Sequence, residues 1–475
     1  MLRFGGVVVL LTLGGLVRAE SSRPDYLKVV RAYADAMIEH GRDKYGPVHS
    51  PLFAATLDRK TLRLPDAPPP GIPGIRAGDR TLTGANPMHD LDLYQVLYVL
   101  TKIVRDARYA AAADEALKWF FEHTQSPATG LFAWGEHLGW DFRTETFRGR
   151  NAHEFYRPWV LWERSFRLAP EPCYNFALGL WRHQIADQTT GDYSRHARYT
   201  EHGPEKGYEF PRHGGFYIAT WASAYARYKD PELLQAIEAL LASFEARRNR
   251  QSGALPMQTR APLDWYAPQS ELSLAIDLWD GAKMVPENLA GRMRAFAAKT
   301  DEVFLKVAHD LGPRGKGFVE NANTFTLQPV SFTKTWETGY GLLTDSGYAM
   351  LCLLRYRQVK LDGYKRLVLA TADRYLVGTP DTAIALYPGS SGDAMALLLG
   401  AWRLTGDRKY LNRAGEFGAQ AVQLFFDNSA LPRASTKHDH YEAITRADTL
   451  AMELLDLWAA QNKPRLDLGL MWPER

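Results

Sequence analysis

Apolar positions recur at helical spacing along most of the chain, and they define two alternating kinds of helix. The first kind is amphipathic, with one apolar face, as in Tyr26–Glu39. The second is apolar on most sides and rich in Ala, Leu, Trp and Tyr, which is typical of buried helices. Amphipathic helices are predicted at Tyr26–Glu39, Tyr109–His123, Tyr174–Ala186, Glu232–Arg248, Leu289–His309, Tyr364–Val377 and Tyr410–Phe426. Buried helices are predicted at Leu91–Val104, Phe155–Leu168, Phe216–Tyr228, Leu272–Lys283, Gly347–Gln358, Ala394–Leu404 and Ile444–Ala460.

The loops between the two kinds of helix repeat as well. Amphipathic helices lead into glycine turns at Gly130, Gly191 and Gly253, which are 61 and 62 residues apart. The returning connections, such as Thr405-Gly406-Asp407, are short and polar. Exposed and buried helices with long loops at one end predict an all-α fold, an (α/α) toroid of six to seven hairpins. An open superhelix is the alternative, but its repeats are shorter and lack long aromatic loops.

The ends of the chain predict an exported single-domain protein. Residues 1–19 combine Arg3, a short apolar run and a small residue at Ala19, which indicates a signal peptide. Residues 20–475 are then one toroid catalytic domain, with Pro65–Gly78 as a loop draped over the ring. We expect a secreted or periplasmic protein with no membrane association once the signal is removed.

Composition narrows the range of partners. The formal net charge is +3, and Lys and Arg are scattered, so nucleic acid is not expected as a partner. Cys173 and Cys352 are the only two cysteines, and both lie in apolar helical runs. Two buried free thiols are therefore expected rather than a disulfide or a cysteine metal site.

The loop Gly130–Glu154 holds the densest candidate chemistry in the chain. It places carboxylates and imidazoles between Trp134, Trp140 and Tyr156. A pyranose ring stacks its C–H face on an indole while its hydroxyl groups take hydrogen bonds, so this composition favours a carbohydrate substrate. In a toroid every long loop opens on the same rim, so residues distant in sequence meet there.

Hydrolysis of a glycosidic bond needs one protonated and one ionised carboxyl group. Glu136 and Glu154 are the expected pair, with Asp141 or Asp90 as an alternative partner. Their aromatic neighbours should raise the pKa of Glu136 and Glu154 by desolvation. We expect substrate to be bound by His89, Trp134, His137, Trp140, His153, Tyr156, Arg195, His213, Trp336 and His440.

Two other functions stay open. β-Elimination on a uronate needs a group that neutralises the carboxylate, a base for the C5 proton and an acid for the leaving oxygen. Asn151, His153, Tyr156, Arg195 and His213 could supply these roles. A glycan-binding protein without catalysis is the other alternative, because a fold does not fix a function.

Metal binding has weaker support in the sequence. His438, Asp439 and His440 could bind zinc, and so could His89 with Asp90 and Asp92. Neither set has a firmly spaced third ligand. The expectation is therefore no metal and no cofactor.

These motifs resemble those of the six-hairpin glycosidase-like (α/α) toroid enzymes. The likeness lies in the helical repeat, in Trp134-Gly135-Glu136-His137-Leu138-Gly139-Trp140-Asp141 and in Asn151-Ala152-His153-Glu154. That group includes glucuronidases, unsaturated uronyl hydrolases and, on related toroids, polysaccharide lyases. The resemblance implies cleavage of a polysaccharide or oligosaccharide that contains uronic acid. Toroid lyases often carry an added β-sandwich, which this chain lacks, so hydrolysis is the first expectation.

Overall fold

Amphipathic and buried helices alternate through the computed structural model, which describes residues 24–201, 203, 209–258, 263–336 and 343–474. The predicted signal peptide, residues 1–19, lies outside the described residues. The outer helices are α1 (Tyr26–Glu39), α3 (Arg108–His123), α5 (Pro170–Gly179), α7 (Pro231–Arg247), α9 (Glu287–Phe304), α11 (Asp362–Val377) and α13 (Arg408–Phe425). The inner helices are α2 (Leu91–Val104), α4 (Trp162–Leu168), α6 (Pro211–Tyr228), α8 (Pro268–Gly281), α10 (Asp345–Val359), α12 (Pro388–Thr405) and α14 (Ala447–Asn462).

The inner helices form a ring. Each packs on the next from α4 through α6, α8, α10 and α12 to α14, and α14 packs on α2. Between α2 and α4 the ring is completed by residues 155–161, where Trp159 meets the Tyr94 ring of α2 edge-on at 6.4 Å between centroids. Outer helices cover the ring, and one continuous apolar core joins the two layers. The described residues thus form seven helical pairs, the upper value expected, and the (α/α) toroid is confirmed.

Short antiparallel strands occupy the long loops. They are β1 (Thr56–Leu57), β2 (Gly84–Ala85), β3 (Leu138–Asp141), β4 (Thr146–Gly149), β5 (Ile185–Asp187), β6 (Asp192–Tyr193), β7 (Trp265–Tyr266), β8 (Val319–Asn323), β9 (Pro329–Phe332) and β10 (Tyr441–Glu442). The pairings are β1 with β10, β2-β3-β4, β5 with β6, and β7-β8-β9. The β1–β10 pair sets Thr56 opposite Glu442, so it fastens the beginning of the ring to its end.

The glycine turns of the repeat share one backbone conformation. Gly130, Gly191 and Gly253 have φ of 73°, 67° and 80°, a region that favours glycine. An added Cβ at Gly130 would lie 2.7 Å from the Asn175 carbonyl oxygen. The repeated glycine therefore reflects a turn that must be left-handed and close to the next helix.

One difference from the predicted helices bears on the site and lies at α4. A helix was expected over Phe155–Leu168, but it begins at Trp162. Pro158 disfavours helical backbone at Arg157, and residues 153 and 154 are instead held by extended pairing to other loops. The unwound stretch carries several residues of the site described below.

Cys173 and Cys352 are buried free thiols, as expected. Among the described helices, none is both long enough and apolar enough to span a bilayer.

Candidate active site and metal centre

Backbone pairing between three loops builds the site. Gly135 pairs in parallel with Glu154, and the Glu136 amide donates to the Glu154 carbonyl oxygen at 3.3 Å. His153 pairs with Ala197 through two hydrogen bonds of 2.6 and 3.1 Å. These pairings bring Glu136 and His137, then Glu154, then Arg195 and His196 side by side.

Glu154 is the centre of the site and has a side-chain exposure of 0%. Its Oε1 accepts from Arg195 Nη1 at 2.9 Å and from His213 Nε2 at 3.0 Å. Its Oε2 lies 2.8 Å from His196 Nε2 and 3.2 Å from His137 Nε2. A buried carboxylate is tolerated only with such compensation, because desolvation of an unpaired charge is costly.

The expected rise in the pKa of Glu154 is wrong. Burial alone would raise it, but hydrogen bonds from Glu136, His137, His196 and His213 hold the pKa of this carboxyl well below its ordinary value. Glu154 is therefore ionised at neutral pH and is not suited to be an acid catalyst.

His137 is held in a fixed orientation. Its Nδ1 lies 2.7 Å from Asp79 Oδ1, and a carboxylate only accepts, so Nδ1 carries the proton. Asp79 Oδ2 accepts from Arg76 Nε at 2.6 Å, and Arg76 also pairs with Glu136. Burial alone would lower the pKa of His137, but the hydrogen bonds to Asp79 and Glu154 raise it to about 9.

The resulting set of Nε2 and carboxylate atoms fits a metal ion. Potential ligand atoms of Glu136, His137, Glu154 and His196 all lie within 4.8 Å of one another. His137 Nε2 is 3.5 Å from Glu136 Oε2 and 3.3 Å from His196 Nε2. Ligands about 2.0–2.2 Å from a common ion are separated by roughly 3.0–3.5 Å, which matches these spacings.

The donor types indicate which ions would fit. Two imidazoles and two carboxylates suit divalent transition metals better than magnesium or calcium, which prefer oxygen ligands alone. The Asp79 contact to His137 is the usual support of a metal-bound imidazole. No metal site was expected, yet these four residues form a set of ligands suited to one. The sets that the sequence suggested, around His438 and around His89, consist of other residues.

Those two suggested sets lack such convergence among the described residues. His440 Nε2 instead lies 2.8 Å from Glu442 Oε2, which is paired with Arg80. The His438 and His440 rings are 6.3 Å apart. His89 is buried beside Asn86, and burial lowers its pKa to about 3.

Two of the expected carboxylates have other surroundings. Asp141 accepts from the amides of Arg143 and Thr144 at 2.9 and 3.0 Å, so it fixes the turn between β3 and β4. Asp90 begins α2, where burial and the neighbouring Asp448 raise its pKa well above its ordinary value. Neither is a member of the metal-ligand set.

The expected sugar-stacking role of Trp134 is wrong, because its side chain is fully buried. Its indole stacks on Phe155 at 5.8 Å and meets Trp159 at 4.8 Å between centroids. Trp140 is partly exposed and stands edge-on to Trp119, whereas Trp336 packs edge-on against Tyr375 and Phe417. Trp140 thus keeps some surface available for a ligand.

Among the expected binding residues, His213 and Arg195 contact Glu154 directly. Burial lowers the pKa of His213 to about 4, so it is neutral and donates through Nε2. His153 is buried, with Nδ1 3.2 Å from Gln184 Oε1, and it aligns the backbone beside Glu154. Tyr156 stands edge-on to the His89 ring at 6.1 Å between centroids.

Sequence reasoning missed Arg76 and Asp79 as members of the site, and it placed His196 on the rim without giving it a catalytic or binding role. His196 directly follows Arg195, so its loop had already been singled out. Arg76 and Asp79 lie in and just after the proline-rich stretch, which has no periodicity and was interpreted only as a covering loop. Their only signal was an Arg and an Asp three residues apart.

One family model matches the chain: residues 76–240 match the model described as periplasmic pectate lyase. This span is about a third of the chain, and it contains all the residues of the metal-ligand set. No curated protein matches the sequence.

Solved structures of sugar-acting enzymes match over nearly the whole chain. A cellobiose 2-epimerase from Bacillus thermoamylovorans B4167 is 11% identical, covering 91% of this chain and 99% of its own, with a TM-score of 0.49. An unsaturated glucuronyl hydrolase specific for heparin is 13% identical, covering 94% and 99%, with a TM-score of 0.48. A D-mannose isomerase is 9% identical, covering 92% and 97%, with a TM-score of 0.49. The match of residues 76–240 to the pectate lyase model agrees with the expected class, an enzyme that acts on carbohydrate.

Proposed function

We propose that this protein is an exported lyase that cleaves a uronate-containing polysaccharide, with pectate as the first candidate, by β-elimination. The observation that carries the proposal is the convergence of Glu136, His137, Glu154 and His196 on one point, with Arg195 beside them. The match of residues 76–240 to a pectate lyase model supports the choice of substrate, and its description as periplasmic supports export.

The carboxylates favour elimination over hydrolysis. A glycosidase needs one carboxyl group as proton donor and a second, ionised one on the sugar or the attacking water. One oxygen of Glu136 and one of Glu154 lie within 4.8 Å of each other, close enough for both to bind one ion. Glu154 is held ionised, so it is not prepared as the proton donor that glycoside hydrolysis needs, and Glu136 is paired with Arg76.

β-Elimination requires positive charge beside the carboxylate of the uronate that is cleaved. The C5 proton of a uronate becomes acidic when the adjacent carboxylate is neutralised. A divalent ion held by Glu136, His137, Glu154 and His196 would supply charge that stabilises the enolate. Arg195, whose side chain is 19% exposed and lies over the Phe210 ring at 4.5 Å, can bind the same carboxylate.

The bond changes then need no water. The C5 proton passes to a base, for which the candidate is the neutral His213 imidazole, whose Nδ1 has no partner among the described residues. The C4–O4 bond breaks as the C4–C5 double bond forms, and the leaving oxygen takes up a proton. Burial raises the pKa of the Tyr156 phenol, so Tyr156 stays protonated and suits the role of proton donor. The phenol is also affected by the charge of Glu136, which ties it to the cluster.

The decisive experiment is incubation of the purified protein with polygalacturonate, after chelation and after addition of single divalent metals. We expect products with a conjugated double bond, seen as ultraviolet absorbance, only in the metal-loaded samples. Saturated products would instead show hydrolysis. Substrate recovered intact under all conditions would favour a glycan-binding protein.

Replacement of Glu136 tests the site itself. Because Glu136 lies at the edge of the site and pairs with the half-exposed Arg76, Glu136→Gln should lower turnover by orders of magnitude with little change in thermal stability. Turnover and the thermal midpoint are measured on the same preparation. Loss of folding in this variant would assign Glu136 a structural role.

A further inference from the structure

The segment 463–474, which follows α14, returns across the inside of the ring. The Gln95 side chain of α2 holds the Met471 backbone through two hydrogen bonds, one from Nε2 to the carbonyl oxygen at 2.7 Å and one from the amide to Oε1 at 2.8 Å. The Trp472 indole donates to Asp393 of α12 at 3.3 Å. The segment is therefore anchored to inner helices on two sides of the ring.

Near its end the segment contacts a pair of buried arginines through Glu474. Glu474 Oε1 lies 2.9 Å from Arg157 Nη2, and Oε2 lies 3.3 Å from Arg446 Nη1. The side chains of Glu474, Arg157 and Arg446 are 9%, 7% and 13% exposed. One carboxylate thus bridges two guanidinium groups away from solvent.

The arginine pair needs an anion. Arg446 also pairs with Asp393, whereas Arg157 otherwise donates to the Met88 carbonyl oxygen at 3.1 Å. Without Glu474, Arg157 would lose the ion pair at 2.9 Å and keep the Met88 carbonyl oxygen and the charge of Asp448 as compensation, which is unfavourable for a buried guanidinium. Arg446 also has a left-handed backbone, φ 63°, a conformation that is uncommon outside glycine and concentrated at functional sites.

The pair adjoins the metal-ligand set. Arg157 follows Glu154 by three residues in the unwound stretch before α4. Tyr156, between them in sequence, is affected by the charges of both Glu474 and Glu136. Arg212, next to His213, acts on Glu474 in the same way. The Arg157 guanidinium, which binds Glu474, lies over the Tyr156 ring at 5.4 Å, so the arginine pair adjoins the stretch that carries Glu154.

We propose that Arg157 and Arg446 form a subsite for a uronate carboxylate beside the metal centre, and that Glu474 occupies this subsite as an internal substitute. The inference rests on the proposed lyase function, because a chain of uronates would present a second carboxylate near the one being cleaved. A neutral polysaccharide would have no group to displace Glu474.

The segment has room to move. A cavity of about 590 Å³ lies between residues 464–472 and the inner helices, bordered by Arg357, Arg403 and Glu453. Leu466 and Met471 are 41% and 44% exposed, and Gly469 has a φ of 65° that permits a sharp bend. The segment therefore has open space beside it as far as Trp472, two residues before Glu474.

The test begins with binding rather than catalysis. In Glu474→Ala the arginine pair loses its anion, so the thermal midpoint should fall, and galacturonic acid should restore part of it. Galactose, which lacks the carboxylate, should restore none. Glu474→Gln keeps the side-chain volume and provides a second variant if the alanine variant does not fold.

Asp467→Asn is the matched control, because it removes one negative charge from the same segment without touching the arginines. On pectate oligomers, Glu474→Gln should lower KM by about tenfold if the free protein has the subsite open about a tenth of the time. Equal effects of galacturonic acid on Glu474→Ala, Asp467→Asn and the unchanged protein would overturn the proposal, and so would a raised KM. The thermal midpoint tests the carboxylate subsite even if the protein cleaves no pectate. Failure of the subsite proposal can therefore be told apart from failure of the proposed lyase function.

Discussion

At the scale of single residues, the surroundings of a side chain decide its chemistry more than its type does. Glu154 lies among aromatic residues in the sequence, which suggested a raised pKa, yet four cationic or hydrogen-bonding partners lower it. Two of those partners, His196 and His213, lie 42 and 59 positions away in the sequence. Residue types in one loop therefore could not reveal the direction of the shift.

Asp79 provides a test of the metal centre that leaves the ligands in place. Asp79→Asn should weaken metal binding by about 10–100-fold, because Asp79 fixes the proton and orientation of His137. Titration calorimetry with manganese or zinc measures the affinity. Asp106→Asn is the control, since Asp106 makes a similar pair with Arg108 on the surface. Equal affinities in the two variants would exclude the supporting role.

We expect Arg195 to act through the planar geometry of its guanidinium group as well as through its positive charge. Arg195→Ala should lower kcat by about 10²–10³-fold, as loss of a group that stabilises developing charge does. Arg195→Lys should recover only a small part, because an ammonium lacks the planar fork that pairs with a carboxylate. Steady-state kinetics on pectate separate kcat from KM, with Arg182→Ala, which breaks an exposed pair, as control. Full activity in the lysine variant would contradict this role.

At the scale of elements, helices were predictable and the pairing between loops was not. The bounds of α1 and α2 follow from periodicity, because each buries one or more complete apolar faces. The site instead depends on two isolated backbone pairings, Gly135 with Glu154 and His153 with Ala197. Such pairings join loops without a repeating pattern, so sequence showed which loops carried polar residues but not which would touch.

Gly135 is the residue on which the pairing depends. Its φ is 114°, and an added Cβ would lie 2.2 Å from the Glu154 carbonyl oxygen. Gly135→Ala should therefore separate Glu136 and His137 from Glu154, with loss of metal binding and about 2 kcal/mol or more of stability.

Gly291 is the matched control for this substitution. It lies within α9 with no atom within 4 Å of an added Cβ. Gly291→Ala should raise stability by about 0.5–1 kcal/mol through reduced chain entropy. Denaturant unfolding and metal titration compare both variants, and an intact metal site in Gly135→Ala would show that the loops can pair without the glycine.

At the scale of the whole molecule, the closed ring explains how buried polar groups accumulate around one axis. The inner helices begin on the side of the long loops, so their first turns carry His89, His213 and Arg446 toward a common interior. Sequence predicted this gathering from the order of the helices. Sequence could not predict that Glu474 occupies the Arg157–Arg446 subsite, because the segment after α14 lacks the periodic pattern of a helix.

This burial has a consequence for acid stability. Burial lowers the pKa of His89 to about 3 and that of His153 and His213 to about 4, below the ordinary value of 6.5. Below pH 6.5 the unfolded chain therefore binds protons that the folded protein does not. The contribution of these three histidines to stability should therefore fall as pH drops from 6.5 toward 4.5, while buried carboxyl groups with raised pKa, such as Asp90, contribute with the opposite sign.

Replacement of His89 isolates one part of this effect. His89 would contribute on the order of 5 kcal/mol over its full range, because its pKa falls from 6.5 to about 3 and one pKa unit corresponds to about 1.4 kcal/mol. His89→Gln should make the free energy of unfolding less dependent on pH between 6.5 and 4.5, even if it lowers stability at pH 7. Asp448 opposes the trend, since burial raises its pKa to about 6 and protonation then favours the folded state. Urea unfolding at several pH values measures the slope, with the exposed His40→Gln as control. An equal slope in the His89 and His40 variants would show that His89 takes up its proton in the folded protein as readily as in the unfolded chain.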